Sequence, residues 1–283
     1  MFLVLFRRLR LAFYMLISSS QPAKPDVRFF QFWIPLVMKC TRRTFSTEAH
    51  ALLFLRSTGL KLPIPRVIDT FVLDGYTYTV MSRMKGVPLL DVHRDNWNNP
   101  EHQIPISYDA ISTAVRDVVE QLWTLEQPLK DKGKVMLSAS GHGLPDPTQF
   151  FDSHMDPRPS VLDLYYYLTP HLDTTSRPKW TASHLLQAHP EPMQAVLRDE
   201  VAWVHSDLKM HNIMIDPETG EFVGILDWED SGWRPKHWQL FPLRHYGPAT
   251  LGPFANCFRG MRFPDQTEEA YEMMFKLLYH LPC

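Results

Sequence analysis

The chain has 283 residues, of which 45% are apolar, enough to form one large core or two smaller ones. Its 29 Lys and Arg residues nearly balance 31 Asp and Glu residues, so the formal net charge is only −2. A protein that binds nucleic acid usually carries a clear excess of positive charge. We therefore expect no nucleic-acid partner.

The three cysteines are Cys40, Cys257 and Cys283, and they lie far apart in the sequence. This spacing gives neither a disulfide framework nor the paired cysteines of a zinc site. We expect a reducing compartment and a cytoplasmic location.

The first 17 residues are mostly apolar, but Arg7, Arg8 and Arg10 interrupt them. The uncharged run is too short for a membrane-spanning helix, so we expect no stable membrane insertion. The order of basic and apolar residues fits a signal peptide only loosely.

Helix and strand patterns alternate in the first third of the chain. A helix is predicted from a cap at Ser46 or Thr47 to a stop at Gly59. Residues 63–71 and 76–81 then read as two strands joined by a turn at Asp74 and Gly75. Together these elements predict a small α+β lobe.

Helical spacing dominates the rest of the chain. Apolar residues from Ile111 to Leu125 recur at the helical period, and the helix is expected to end by Pro128. Residues 268–281 show the same period, whereas residues 128–160 show none and contain several prolines and glycines. A larger, mostly helical second lobe follows from this pattern.

Residues 204–229, VHSDLKMHNIMIDPETGEFVGILDWE, carry the most specific signal. Two short β runs flank a turn of Asp, Pro and Gly residues, so the segment predicts a hairpin. Asp207 and Asn212 precede its first strand and Asp227 follows its second, so we expect the hairpin to bring all three to one end. Carboxylate and amide oxygens suit Mg²⁺, which also bridges substrate phosphates.

The spacing His205-x-Asp207-Leu208-x-x-x-Asn212 matches the catalytic loop of kinases. In that loop the Asp accepts the proton of the substrate hydroxyl and the Asn holds a metal ion, and Asp227 would be the principal metal ligand. His205 is expected to support the backbone. Taken singly, Asp207, Asn212 and Asp227 could equally be a turn former, a strand-edge residue and a helix cap.

A metal-dependent hydrolase is an alternative interpretation of the same segment. It would use a set of acidic and histidine side chains: His205, Asp207, His211, Asp216 and Asp227. Its weakness is that Asp216 belongs to the far end of the predicted hairpin.

VHSDLKMHNIMID followed by ILDWEDSGWRPKHWQ closely resembles the motifs of the aminoglycoside phosphotransferase and choline kinase family, including many fungal members. In that family Asp-Trp-Glu or Asp-Phe-Glu stands in place of Asp-Phe-Gly. In this chain Ser206 replaces the usual Gly, and Gln239 follows Trp238 where Glu is common.

The resemblance implies an α+β, bilobal protein-kinase-like fold with a small β-rich N-terminal lobe and a larger helical C-terminal lobe. It divides the chain into an unmatched segment at 1–35, a nucleotide-binding lobe at 36–85 and a catalytic and substrate lobe at 86–283.

The resemblance also assigns a nucleotide site. Lys39 would hold the α- and β-phosphate oxygens of ATP or another nucleoside triphosphate, and Glu48 would orient its ammonium group. Met81 and Arg83 lie in the stretch that resembles the linker between the lobes, where backbone groups receive adenine. Gly86 opens the Gly-x-x-Leu that follows this linker.

The implied activity is Mg²⁺-assisted transfer of the γ-phosphate to a hydroxyl of a small molecule, with Asp207 as the base. A protein substrate is less expected, because Asp-Trp-Glu replaces Asp-Phe-Gly and no Ala-Pro-Glu follows. Residues 128–192 would select the acceptor, whose identity the sequence leaves open. Their aromatic and acidic side chains could contact it or serve the core and the solvated surface: Phe150, Phe151, Tyr165, Tyr166, Tyr167, Trp180, Asp146, Asp152 and Asp156.

The segment before Lys39 departs from the family pattern. Residues 1–35 contain no glycine, although a phosphate-covering loop should lie there. The N-terminal lobe is therefore expected to be truncated or divergent. The alternative function is a kinase-fold protein with impaired catalysis that serves as a binding or scaffold module.

Overall fold

The computed structural model describes residues 2–22, 24–101, 103–145, 154–168, 186–244 and 252–280. The chain divides into two compact units, each built from two separate stretches. The first unit comprises Met1–Pro105 and Asn212–Glu229, and the second comprises Ile106–His211 and Asp230–Cys283.

The first unit carries two sheets and three helices within its described residues. Its helices are α1 (Phe2–Leu16), α2 (Glu48–Ser57) and α3 (Leu89–Asn98). Its strands are β1 (Ser18–Gln21), β2 (Lys24–Phe30), β3 (Leu36–Thr41), β4 (Val67–Leu73), β5 (Tyr76–Ser82), β6 (Val87–Pro88), β10 (Ile213–Ile215) and β11 (Phe222–Ile225). The larger sheet is antiparallel in the order β1-β2-β3-β5-β4, and the smaller has the order β11-β10-β6.

The segment before Lys39 contributes two strands to the larger sheet. Strand β2 pairs with β3, which places Val27 opposite Lys39. Gln21 pairs with Lys24 in the β1–β2 hairpin, so the connection between these strands is short, and it contains no glycine.

Helix α1 lies against the larger sheet. Leu11, Tyr14 and Ile17 pack on a core cluster formed by Phe30, Met38 and Val80. The Tyr14 hydroxyl donates a hydrogen bond of 2.8 Å to Asp69 of β4. This side of the helix is therefore fixed by apolar packing and by polar contacts with the sheet.

The β4–β5 hairpin turns at Asp74 and Gly75, as predicted, and both residues have positive φ. This is the backbone of the tight hairpin turn that Asp-Gly favours. The first strand begins at Val67 and not at residue 63, because Pro63 and Pro65 have no amide hydrogen to donate to a sheet.

The hairpin predicted at residues 213–226 is confirmed. Ile213 pairs with Ile225, and the Leu226 N–H donates to the Asn212 carbonyl at 2.8 Å. At the turn the Asp216 carboxylate accepts the N–H groups of Thr219 and Glu218, and these hydrogen bonds lower its pKa. Asp216 thus lies at the far end of the hairpin from Asn212.

The second unit is mostly helical. Its helices are α4 (Tyr108–Trp123), α5 (Val161–Leu168), α6 (Pro190–Arg198), α7 (Leu240–Arg244), α8 (Pro253–Gly260) and α9 (Asp265–Phe275). Its strands form two short antiparallel pairs, β7 (Leu144–Pro145) with β8 (His154–Met155) and β9 (Val201–His205) with β12 (Ser231–Pro235). The predicted α+β class, with a β-rich first part and a helical second part, is confirmed.

Helix α4 follows the predicted period. Ile111, Val115 and Leu122 are buried along one side of it. The Ser107 side chain accepts the Ala110 N–H at its start, and the helix ends at Trp123, earlier than the proline at 128 requires.

A fully buried polar network joins three elements of the second unit. The Asp199 carboxylate accepts the His237 backbone N–H at 2.7 Å and also lies 2.7 Å from its Nδ1 atom. The opposite ring atom, Nε2, lies 2.6 Å from the Tyr165 hydroxyl. Burial raises the pKa of Tyr165 far above its ordinary value. Tyr165 therefore belongs to the core.

A buried ion pair joins α7 to α9. Arg244 donates two hydrogen bonds, of 2.7 and 2.8 Å, to the two carboxylate oxygens of Glu268. Glu268 also accepts the Phe263 N–H at 2.8 Å. Burial would raise the pKa of Glu268, but the hydrogen bonds from Arg244 and Phe263 outweigh it and lower that pKa.

Several residues considered as acceptor contacts lie outside the described residues: Asp146, Phe150, Phe151, Asp152 and Trp180. Tyr166 and Tyr167 are exposed. In the described part of the chain, no helix has both the length and the apolar character that crossing a membrane requires.

We predict that Gly86→Ala destabilises the first unit. Gly86 has a φ of +85°, and an added Cβ atom would lie 2.2 Å from the Ile215 carbonyl oxygen of β10. The cost should be about 1–3 kcal/mol of unfolding free energy. Urea denaturation of the variant measures it, with Gly59→Ala as the control, since Gly59 also has positive φ but nothing within 4 Å. Equal losses in both variants would contradict the proposed clash.

We predict that Glu268 contributes an acid-sensitive part of the stability. Because its folded-state pKa is depressed, this contribution is present above the ordinary glutamate pKa and is lost as the pH falls through the folded-state value. The free energy of unfolding of the wild-type protein should fall between about pH 6 and about pH 3, and Glu268→Gln should remove this fall. Glu269→Gln, which alters a half-exposed neighbour, should retain the loss.

Candidate functional site

Lys39 lies among three carboxylates within the first unit. Its Nζ atom is 2.6 Å from Asp227 Oδ1, 3.4 Å from Glu48 Oε2 and 3.4 Å from Glu229 Oε2. Strand β3 carries Lys39, helix α2 begins at Glu48, and both other carboxylates follow β11. Three parts of the unit thus converge on one ammonium group.

The ammonium group is held in its charged form. Burial alone would lower the pKa of Lys39, but the charges of Glu48, Asp227 and Glu229 outweigh it and raise that pKa well above its ordinary value. The group is therefore cationic at neutral pH.

Asp227 has an unusual backbone. Its φ is +61°, in the left-handed region that residues other than glycine seldom adopt. The next residue, Trp228, donates its backbone N–H to Glu48 Oε1 at 3.2 Å and its indole N–H to the Ile225 carbonyl at 2.9 Å. Glu48 thus holds both the Lys39 ammonium and the backbone that follows Asp227.

The hairpin brings Asn212 and Asp227 to the same end, as predicted. The backbone hydrogen bond between Leu226 and Asn212 joins the residues at the open end of the two strands. Asn212 is buried, and Asp227 is the next residue after Leu226.

The charge of this cluster fits a divalent cation. Three carboxylates surround one ammonium group, which leaves two negative charges in a partly buried site. Within the described ranges, no group of three or more His, Cys, Asp or Glu side chains is arranged to hold a metal ion by itself. Mg²⁺ suits such a site, because it commonly uses one or two protein ligands together with waters and phosphate oxygens.

Asp207 belongs to the second unit, in the turn after β9. Its Oδ1 atom pairs with the Lys209 ammonium, and its Oδ2 atom lies 3.1 Å from His211 Nε2. Burial would raise the pKa of Asp207, but contacts with His211 and Lys209 outweigh it and lower that pKa strongly. The carboxylate is therefore ionised and held from both sides.

The backbone before Asp207 is fixed by buried hydrogen bonds. The Gln239 side chain accepts the His205 N–H at 2.8 Å and donates to the His205 carbonyl at 3.0 Å. The Asp207 N–H points to His205 Nδ1 at 3.3 Å, and the Ser206 hydroxyl donates to the Asp230 carbonyl at 2.6 Å. His205 thus supports the backbone, as expected. Ser206 adds a side-chain hydrogen bond that the usual glycine could not make.

Met81 lies within β5, and Arg83 follows the end of this strand directly. Met81 is buried in β5, between Val37 of β3 and Val67 of β4. The Arg83 N–H donates to the Pro35 carbonyl at 2.8 Å, so this amide already has a partner.

Three residues around the predicted site were not assigned a role in it by the sequence: Lys209, Glu229 and Gln239. Glu229 is the Glu of the Asp-Trp-Glu motif. This motif indicates the family, and its Glu is also the signal that could have identified this carboxylate. Gln239 stands where Glu is common in the family, and this replacement alone does not indicate the hydrogen bonds with His205. No spacing rule indicated the contact of Lys209 with Asp207.

The family comparison agrees with this arrangement of residues. The profile described as "Phosphotransferase enzyme family" (APH) matches residues 36–256. The chain therefore belongs to the phosphotransferase enzyme family, and the expected protein-kinase-like fold is confirmed by this membership and by the order of elements around Lys39.

Solved structures similar to the chain include an aminoglycoside-3'-phosphotransferase of type VIII, with 18% identity and a TM-score of 0.45 over 86% of this chain and 84% of that one. Another is aminoglycoside phosphotransferase APH(3'')-Id from Streptomyces rimosus, in complex with ADP and streptomycin. It has 17% identity and a TM-score of 0.47 over 93% of this chain and 92% of that one. The comparison with curated proteins finds no match.

We predict that Lys39→Met destabilises the first unit and makes its stability depend on Mg²⁺. Without the ammonium group, the carboxylates of Glu48, Asp227 and Glu229 repel one another, at a cost of about 3 kcal/mol. Thermal unfolding with and without MgCl₂ measures this, and Mg²⁺ should restore part of the loss. Lys85→Met, at an exposed lysine, is the control. An unchanged melting temperature for Lys39→Met would contradict the role of this cluster.

Proposed function

We propose that the protein is an ATP-dependent phosphotransferase that transfers the γ-phosphate to a hydroxyl of a small molecule with the help of Mg²⁺. The observation that carries the proposal is the Lys39 ammonium held by Glu48 and Asp227 within one unit. In this proposal Lys39 binds the α- and β-phosphate oxygens, and Glu48 keeps its ammonium group oriented.

Asn212 and Asp227 are the residues that would hold the magnesium ion. Both offer oxygen atoms, and the two uncompensated negative charges of the Lys39 cluster favour a divalent cation. Bound there, the ion would neutralise negative charge on the triphosphate. Glu229 adds a third carboxylate to the same environment and strengthens the attraction for the cation.

Asp207 would be the catalytic base. Its depressed pKa makes it a weak proton acceptor, so its main contribution is to orient the substrate hydroxyl, and it takes up the proton as the phosphoryl group leaves the nucleotide. Lys209 and His211 hold its two oxygens in place before the substrate binds. Preorganisation of this kind supplies much of the catalysis in phosphoryl transfer.

Met81 and Arg83 are proposed to lie beside the adenine ring. Their backbone groups lie in a strand and in a hydrogen bond with Pro35, so contact with the base would have to come from side chains or from neighbouring residues. The acceptor is a small hydroxyl-bearing molecule, and a cytoplasmic location remains a prediction.

A second candidate function is a kinase-fold protein with impaired catalysis that serves as a binding or scaffold module. The observation that favours it is the connection of only two residues between β1 and β2, which provides no glycine-rich loop to cover the phosphates. The hydrolase alternative is disfavoured, because the Asp216 carboxylate is used by the turn at the far end of the hairpin.

We predict that the intact protein turns over ATP with at least one acceptor from a panel of hydroxyl-bearing metabolites. Asp207→Ala should lower this turnover at least several hundredfold, because it removes both the base and the group that positions the hydroxyl. Asp117→Ala, at an exposed position of α4, is the control and should retain the activity. Turnover that survives Asp207→Ala would refute the assigned base.

A thermal shift with Mg²⁺ and ATP separates the two candidate functions. Ligand that binds only the native state raises the melting temperature, so wild type and Asp207→Ala should both show the shift and Asp227→Ala should lose it. Absence of the shift in the wild-type protein would favour the binding or scaffold module.

A further inference from the structure

Helix α1 has two apolar sides, and only one of them packs on the sheet. The other side is a stripe at helical spacing that is largely exposed: Phe2, Leu5, Phe6, Leu9, Phe13 and Leu16. No residue of the helix is fully buried. A continuous apolar surface of this kind usually marks an interaction site.

The loop between β2 and β3 exposes two further aromatic residues beside the C-terminal end of α1. The Gln31 N–H donates to the Ile17 carbonyl at 2.9 Å, which places the loop against the C-terminal end of α1. Phe32 is 74% exposed and Trp33 is 100% exposed. Both have positive φ, an uncommon backbone for bulky side chains, and it directs two aromatic rings outward.

The segment that carries this surface is positively charged. Residues 1–33 contain five basic residues and one acidic residue, Asp26, which gives a formal charge of +4 in a chain whose total is −2. Helix α1 contains three arginines and no acidic residue. Two of these arginines lie near aspartates of the β4–β5 hairpin: Arg8 is 3.5 Å from Asp74 in a mostly exposed pair, and Arg10 is 3.2 Å from Asp69.

We propose that the outer side of α1, together with Phe32 and Trp33, docks the protein on an anionic lipid surface. A helix with a broad apolar side and basic residues nearby lies in the plane of the membrane interface, and tryptophan is enriched at that depth. Anionic headgroups complement the formal charge of +4 on residues 1–33. This contact is peripheral, and it does not depend on the proposed phosphotransfer.

A second copy of the chain fits this surface less well. A two-fold dimer would bring the same face of each copy together and would therefore oppose two segments of formal charge +4. A lipid surface does not bring two positively charged segments together, and it accepts apolar side chains without requiring a matching shape.

Vesicle sedimentation tests the proposal. The intact protein should sediment with vesicles of phosphatidylcholine and phosphatidylserine, bind weakly to phosphatidylcholine alone, and be released by high salt because salt screens the charges. Trp33→Ala and the double variant Leu9→Ser/Phe13→Ser should each lower the partition constant about tenfold or more.

Matched controls exist elsewhere on the surface. Trp97→Ala removes another tryptophan that is 82% exposed, and Leu129→Ser removes a leucine that is 89% exposed. These variants should bind like wild type, and all of the variants should keep the wild-type melting temperature because the residues are exposed.

Three results would overturn the proposal. One is failure of the wild-type protein to sediment with anionic vesicles, and another is equal loss of binding in the Trp97→Ala control. The third is a lipid-free dimer, seen by light scattering, that the Leu9→Ser/Phe13→Ser variant abolishes, since a second copy would then occupy the face.

Discussion

The ion cluster around Lys39 is the constraint on which the organisation of the first unit depends. Lys39 brings a strand, a helix and the end of a hairpin together, although these elements lie as far as 188 residues apart in the chain. Glu48 faces the ammonium with one oxygen and accepts the Trp228 N–H with the other, so it also fixes the strained backbone at Asp227. Removing the Lys39 ammonium would leave the carboxylates of Glu48, Asp227 and Glu229 without a counter-charge, so the arrangement depends on this one cation.

Local chemistry explains what the sequence could predict. The hairpin at 213–225 follows from two β runs around an Asp-Pro-Glu-Thr-Gly turn, and α4 follows from its apolar period. Because a hairpin returns the chain to its starting point, the proximity of Asn212 and Asp227 could be inferred without coordinates. The pairing of Lys39 with Glu48 came only from the family resemblance, since no local rule joins residues that are nine positions apart on different elements.

Other features depend on contacts that no local pattern reveals. Strands β1 and β2 do not follow from the sequence pattern. Ser18–Gln21 has no apolar alternation, and a phosphate-covering loop before Lys39 is expected to contain glycine, which residues 1–35 lack. The strand predicted to begin at residue 63 begins at Val67, because two prolines preclude regular pairing before it. The exchange of hydrogen bonds between Gln239 and His205 spans 34 residues, and the position of Arg83 depends on the Pro35 carbonyl.

The discontinuous units have a consequence for how this protein can be divided. The chain leaves the first unit after Pro105, returns at Asn212 and leaves again after Glu229. A fragment cut at Pro105 would retain Lys39 and Glu48 but would lack Asp227 and Glu229, so it would carry half of the charge cluster. Neither unit can therefore be excised, swapped or expressed as one uninterrupted piece, and exchange of parts between relatives would have to move two stretches together.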